Sequence, residues 1–219
     1  MNNRVAIVTG ASRGIGKSIA LKLLEKQYFT CVVSDDSEEL TQAFAGVLPD
    51  HILIIAGDLI DLDFAQKVVD RTLERWGRID VLINNAAWRV VETLRTMSIE
   101  NWEKTIRVCL TTPAFLAKWV APCMENQKSG VIVNISSIMA NLPGGTGAAY
   151  IAAKGGILSL TYELAALLGP SGIRVVAVSP GNIKTRLSEE FLNKDGENIS
   201  AILVEDFENH TPLRRSGYP

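Results

Sequence analysis

Six short runs rich in Val, Ile and Leu recur along the chain, separated by longer stretches whose apolar positions return with a helical period. That contrast of periods separates strand from helix. Strands are predicted at 4–9, 30–35, 51–56, 79–84, 131–136 and 173–179. Their cores (Val-Ile-Val, Ile-Leu-Ile-Ile, Val-Leu-Ile) lack polar alternation, which suits strands covered on both faces. Helices are predicted at about 14–26, 37–46, 61–75, 99–127 and 148–168. Ser37 before Glu38-Glu39, and Ser98 before Glu100, supply helix starts. Gly130 and Gly169-Pro170 supply ends. Strand and helix alternate throughout, so the fold class is α/β: a doubly wound parallel β-sheet with helices on both faces. With no repeat or linker, residues 1–219 read as a single domain.

The last part of the chain behaves differently. Beyond Arg186 it turns polar and irregular, and 185–211 are expected to form a lid over a site. A carboxyl-terminal helix and edge strand, which would cover the last strand, are expected to be missing from this chain, as in a fragment of a longer one.

Composition narrows the function classes. At 219 residues and 47% hydrophobic the chain can bury one sizeable core. Its net charge of -2 comes from interspersed acids and bases, which argues against nucleic acid or an anionic membrane as partner. The chain enters a strand at once, without a signal pattern. No apolar run is expected to reach the roughly 18–20 residues of a membrane span. Cys31, Cys109 and Cys123 are widely spaced and suit buried, reduced thiols better than disulfides or a metal site. A cytoplasmic protein is expected.

The first strand leads into Thr9-Gly10-Ala11-Ser12-Arg13-Gly14-Ile15-Gly16, which opens a helix. Glycine lets the backbone turn sharply and approach a pyrophosphate. The helix start then offers unpaired N–H groups and a partial positive charge to the anion. The spacing is Gly-x3-Gly-x-Gly, and an ordinary tight turn without ligand would also use it. Further on, Tyr150 and Lys154 stand four apart at the start of a helical segment, so they share a face. An ammonium beside a phenol favours the phenolate, which suits proton exchange with an alcohol or carbonyl oxygen. Ser137, at the end of a predicted strand, could hold that oxygen. A Tyr-x3-Lys pair alone also fits a surface helix contact.

Together these motifs resemble the short-chain dehydrogenase/reductase family, in its order and spacing. Asn84-Asn85-Ala86-Ala87 is similar to the family's Asn-Asn-Ala-Gly, Asp58-Leu59 to its adenine-contacting pair, and Pro180-Gly181-Asn182-Ile183-Lys184-Thr185 to its Pro-Gly-x-Ile-x-Thr. The resemblance implies a Rossmann-type fold and an NAD(P)-dependent oxidoreductase interconverting a secondary alcohol and a ketone or other carbonyl. It implies Ser137, Tyr150 and Lys154 as catalytic residues. The dinucleotide site implied comprises Gly10, Ser12, Arg13, Gly14, Ile15, Gly16, Asp35, Asp58, Leu59, Asn85, Ala86, Pro180, Gly181, Ile183 and Thr185, besides Tyr150 and Lys154. A small-molecule substrate and a homo-oligomer, dimer or tetramer, are implied as well.

Three departures stand out. Cys109 occupies the place of the family's helix Asn, which is thought to hold a relay water. A thiol is a weak hydrogen-bonding group, so an impaired catalyst, or a dinucleotide-binding protein without turnover, is the alternative reading. Ala87 replaces the usual Gly. Family members also continue beyond the segment resembling Pro212 to Pro219 into a last helix and strand.

Choice of cofactor falls to the end of the second strand, where a carboxylate can bond the ribose hydroxyls and repel a 2′-phosphate. Asp35, nineteen residues after Gly16, fits that place, with Asp36 adjacent; one residue of slack would put Ser34 there. Arg13 pulls toward NADP(H). Two acids against one base lean to NAD(H). Trp88, Met139, Leu142 and Pro143 are candidates for an apolar substrate pocket. Trp102 and Trp119 read as core or interface residues. In the lid, Phe191, Leu192, Ile199, Ile202, Leu203 and Phe207 form either a substrate wall or the packing face of a helix.

Overall fold

The computed structural model describes residues 4–142, 145–189 and 198–219. Six parallel strands form one sheet: β1 (Val5–Thr9), β2 (Phe29–Ser34), β3 (Ile52–Ala56), β4 (Val81–Asn84), β5 (Gly130–Ile135) and β6 (Ile173–Val178). Their order is β3-β2-β1-β4-β5-β6. The chain reverses direction across the sheet between β1 and β4, which opens a crevice at the carboxyl ends of those two strands. In-register pairs such as Ile7↔Cys31 and Ile7↔Leu82 hold the centre of the sheet.

Side chains alternate across the sheet, so each strand feeds two cores. On one face Ile7, Cys31, Val33, Leu82, Ile132 and Val175 pack against α3 (Leu62–Trp76), α5 (Thr112–Gln127) and the end of α6 (Ala148–Leu168). On the other Val8, Val32, Ile83 and Ile135 pack against α1 (Gly14–Glu25) and α2 (Ser37–Ala43). α3 shows the local logic. Asp61 caps it by accepting from the Asp63 N–H, it buries Ala65, Val68, Val69 and Thr72 along one stripe, and Gly77 ends it at φ +69°.

The strands lie within two residues of their predicted bounds, and α2 stops at Ala43 rather than 46. The long helix predicted at 99–127 is α4 (Ile99–Ile106), a π-helical turn at Arg107–Thr111, and α5, with helical backbone throughout. π turns are rare and concentrate at functional sites. A further correction concerns α6. With the turn that follows, it is long and apolar enough to cross a membrane by length and composition. It nevertheless carries the buried Lys154 and packs on β6.

The segment expected to be irregular contains α7 (Arg186–Glu189) and α8 (Ser200–His210). Phe191, Leu192 and Pro143 lie outside the described residues. β6 is an edge strand, with Val176 and Val178 about half exposed. After α8 the chain returns to bridge Gly217 to Ile183, with Lys184 N–H donating to Gly217 O and Gly217 N–H to Asn182 O.

Candidate active site

A cleft of about 750 Å³ runs over the carboxyl ends of the strands, within the usual range for cofactor and small-molecule sites. It starts at the glycine loop. Gly10 and Gly14 adopt φ +63° and +55°, a region that L side chains rarely enter. The loop is stitched to the neighbouring strand end. Asn85 Nδ2 donates to the carbonyls of Thr9 (2.9 Å) and Gly10 (3.0 Å), and Thr9 Oγ1 accepts from the N–H groups of Asn85 and Ala86. Gly10, Ser12, Arg13, Gly14 and Ile15 face the cleft, with the start of α1 directed at it. Gly16 does not line it. This glycine lies behind the loop, against Gly10 O and Asn85, so the structure gives it a packing position.

At the β2 and β3 ends, Ser34, Asp35, Asp58 and Leu59 line the same cleft. Asp36 is committed elsewhere: its carboxylate caps α2 by accepting from Glu39 N–H at 2.9 Å. Arg13 forms an ion pair with Glu39 at 3.2 Å. Ser34 Oγ lies within hydrogen-bonding distance of Ser12 Oγ (3.1 Å) and of Asp35 Oδ1 (3.3 Å). Leu59 O accepts from Thr112 Oγ1, which ties the loop after β3 to α5. Opposite, Pro180, Gly181, Ile183 and Thr185 form the wall beyond β6. That wall is braced from behind, because Glu208 accepts from Ser216 Oγ (2.6 Å) and Asn182 Nδ2 donates to the same hydroxyl (2.7 Å). The Ser216 hydroxyl and, after it, the Ser216 backbone N–H, both donating to Glu208, hold its carboxyl below the usual range.

The far end of the cleft brings Ser137, Tyr150 and Lys154 together, all three buried. Lys154 Nζ donates to Ile135 O at 2.6 Å and stands 5.5 Å from the centre of the Tyr150 ring. Ser136 Oγ donates to Lys154 O, pinning the helix to the end of β5. Ser137 Oγ accepts from Met139 N–H at 3.2 Å as that strand passes into a short turn. Cys109 does not face the cleft, although Val108 does. Its thiol lies in the π turn and meets the backbone of Trp88, donating to the carbonyl and accepting from the N–H, each at 3.5 Å. It also packs against Tyr150 and Ala153.

Trp88, Met139 and Leu142 line this end as expected, and so does Phe207 of α8. Trp102 is partly exposed on α4, and Trp119 packs at the edge of the core on α5. Sequence reasoning missed Arg89 and Lys104. The Arg89 guanidinium is 5.4 Å from the Tyr150 ring centre, and the Lys104 ammonium is 4.8 Å from that of Trp88. Burial pushes Arg89 below the usual arginine range. A signal existed, since Arg89 closely follows β4, where an open α/β sheet places its ligands. Asp206 and His210 of α8, and Thr211 just after it, also reach the cleft.

The residues present fit a dinucleotide. The loop approaches so closely that a Cβ on Gly10 or Gly16 would collide with its surroundings, a helix start faces the cleft, and a carboxylate stands at the end of β2. Comparison with known proteins agrees. The family model of short chain dehydrogenases matches residues 4–196. An uncharacterized oxidoreductase of Thermotoga maritima is 34% identical, over 100% of this chain and 85% of its own. A 3-oxoacyl-[acyl-carrier-protein] reductase of Synechocystis is also 34% identical, over 99% of this chain and 84% of its own. The crystal structure of NAD+-bound xylitol dehydrogenase superposes with a TM-score of 0.87 at 26% identity, covering 98% of this chain and 87% of that one. The chain belongs to the short-chain dehydrogenase/reductase family of NAD(P)-dependent oxidoreductases.

Proposed function

We propose that the protein interconverts a secondary alcohol and a ketone, with Tyr150 as general acid and base. The observation that carries this reading is the convergence of Tyr150, Lys154 and Ser137 at one end of a cleft whose other end is the glycine loop. A bound nicotinamide supplies or accepts the hydride. In reduction, Tyr150 donates its hydroxyl proton to the carbonyl oxygen; in oxidation it takes the alcohol proton. The Lys154 ammonium beside the ring offsets the negative charge left on the phenol oxygen. Ser137 orients the reacting oxygen by a hydrogen bond. Gly10, Ser12, Gly14 and Ile15 hold the pyrophosphate, Asp58 and Leu59 the adenine side, Asn85 and Ala86 the floor, and Pro180, Gly181, Ile183 and Thr185 the nicotinamide side. Residues 185–211 serve as the substrate lid of a single domain, a reading supported by Thr185, Ser188, Phe207 and Thr211 in the cleft wall. By analogy with the family we read the protein as a cytoplasmic homo-oligomer.

NAD(H) is the cofactor we infer, because Asp35 lines the cleft just after β2, where its carboxylate would bond ribose hydroxyls and repel a 2′-phosphate, and Arg13 pairs with Glu39. Thermal-shift titration with NAD, NADH, NADP and NADPH, followed by turnover assays on a panel of ketones, tests both inferences. NADH is expected to bind more tightly than NADPH. Asp35→Ser should move that preference toward NADPH by about tenfold or more, the scale of relieving a like-charge contact. No shift with any of the four would end the reading.

The second reading, dinucleotide binding without turnover, is favoured by one observation: a thiol fills the place where the family has Asn. Cys109→Asn is expected to raise the steady-state rate severalfold, since a carboxamide donates and accepts far better than sulfur toward the Trp88 backbone. An unchanged rate would show that the thiol does not limit catalysis.

A further inference from the structure

The wall beyond β6 reaches from one end of the cleft to the other. At its start Pro180 O accepts from the N–H of Ile138, the residue after Ser137, and a Cβ on Gly181 would lie 3.7 Å from Ile138. At its finish Thr185 stands over the glycine loop, where a Cβ on Gly14 would lie 3.0 Å from the Thr185 methyl. Between those points the wall has left the sheet, and its hydrogen bonds run to the stretch after α8. Lys184 N–H donates to Gly217 O, Gly217 N–H to Asn182 O, and Asn182 Nδ2 to the buried Ser216 hydroxyl.

Glu208 anchors that stretch. A single carboxylate oxygen, Oε1, accepts from both the Ser216 N–H (2.9 Å) and the Ser216 hydroxyl (2.6 Å). Hydrogen bonds to an ionised acceptor are short and strong. Glu208 does not line the cleft, but its helix sends Asp206, Phe207 and His210 into it. One carboxylate thus joins two sides of the cleft, the α8 side and the wall at 180–185.

From this connection we infer that Glu208 is a positioning residue: acting through Ser216 and Asn182, it fixes where a nicotinamide on that wall stands relative to a substrate beside α8. The inference rests on the oxidoreductase reading above, which lays the nicotinamide along Pro180, Gly181, Ile183 and Thr185. Hydride transfer depends steeply on the placement of donor and acceptor, and a misplacement of about 1 Å can cost about 100-fold in rate. A wall released from its anchor therefore loses rate and grip on the nicotinamide while the glycine loop, at the opposite end of the site, keeps its hold on the rest of the cofactor.

NAD and ADP-ribose, which lacks the nicotinamide, distinguish this role from a merely structural one. Each is titrated calorimetrically into the wild type, Glu208→Ala and Glu208→Gln, and kcat is measured on a panel of ketones with saturating NADH. Glu208→Ala should weaken NAD by about tenfold, the scale of a hydrogen bond to a charged group, and leave ADP-ribose within about twofold. Its kcat should fall by about tenfold or more. Glu208→Gln keeps a carbonyl oxygen that can accept from both Ser216 donors and should recover most of both losses. Ser216→Ala removes the shared hydroxyl with less disturbance and should act in the same direction by a smaller factor. If thermal melts show that Glu208→Ala does not fold, Ser216→Ala carries the same comparison.

Equal weakening of NAD and ADP-ribose would overturn the proposal, because the carboxylate would then only support the fold. A nicotinamide-selective loss in Glu208→Ala, with no ketone turned over by the wild type, would keep Glu208 as the residue that positions the nicotinamide and sink the oxidoreductase reading. Turnover by the wild type that Glu208→Ala leaves unchanged, with both affinities intact, would sink the positioning role alone.

Discussion

Tyr150→Phe is expected to remove nearly all turnover, about 10²- to 10⁴-fold, the usual contribution of a positioned proton donor, while NADH still binds within a few fold. The substitution deletes one oxygen and keeps the ring. That ring is 9% exposed, packs with Cys109 and Ala153, and lies near two cations, Lys154 at 5.5 Å and Arg89 at 5.4 Å. All of these contacts survive in phenylalanine, whose face attracts cations much as that of tyrosine does. The fold therefore has no reason to change, and the loss falls on the proton transfer. Steady-state rates together with fluorescence titration of NADH decide the matter. If binding disappears along with the rate, the phenol is a structural group and the catalytic assignment fails.

A single methyl at residue 16 is expected to do comparable damage by another route. In Gly16→Ala the new Cβ would lie inside contact distance of the Gly10 carbonyl and of Asn85 Nδ2. That amide nitrogen holds Thr9 O and Gly10 O, so the methyl strikes the stitch between β1 and β4. Overpacking costs about 1–3 kcal/mol and each strained hydrogen bond about 0.5–1.5 kcal/mol. A fall in Tm of roughly 5–15 °C follows for a chain of this size, with loss of the dinucleotide thermal shift. Gly155→Ala is the contrast. Its Cβ would meet nothing within 4 Å, and alanine is favoured over glycine in a helix by about 0.5–1 kcal/mol. A Gly16→Ala protein that melts and binds as the wild type does would show that the loop has room to spare.

Both residues were visible in the amino-acid sequence because their chemistry is local. A glycine after a strand and a tyrosine four residues before a lysine keep their meaning wherever the sheet places them. The strands were legible for the same reason: short, β-branched Val-Ile runs bounded by Gly, Asp and Asn suit buried strands. What escaped depends on distant parts of the chain. The place of Arg89 depends on the path of the non-periodic stretch after β4, fixed by contacts such as Gly147 N–H to Glu92 O and Asn101 Nδ2 to Glu92. The brace from Glu208 through Ser216 to Asn182 joins residues far apart in sequence and has no pattern to betray it. For Gly16 the motif position says that a glycine is needed, and not that the side it spares is the one facing Gly10 O and Asn85. Asp36 looked like a second selecting acid, yet the helix that follows takes its carboxylate.

The wide turn at Arg107–Thr111 shows how a local irregularity reaches the binding wall. Each added residue in a helical rod swivels everything beyond it by about 100°. α4 can therefore lie on α6 while α5, continuing the same rod, presents its apolar stripe to α3. Cys109 sits at that joint and grips Trp88, the neighbour of Arg89. The wide turn thus helps to set, through the Cys109 thiol, where the backbone of Trp88 runs and so where the Arg89 side chain starts out beside Tyr150.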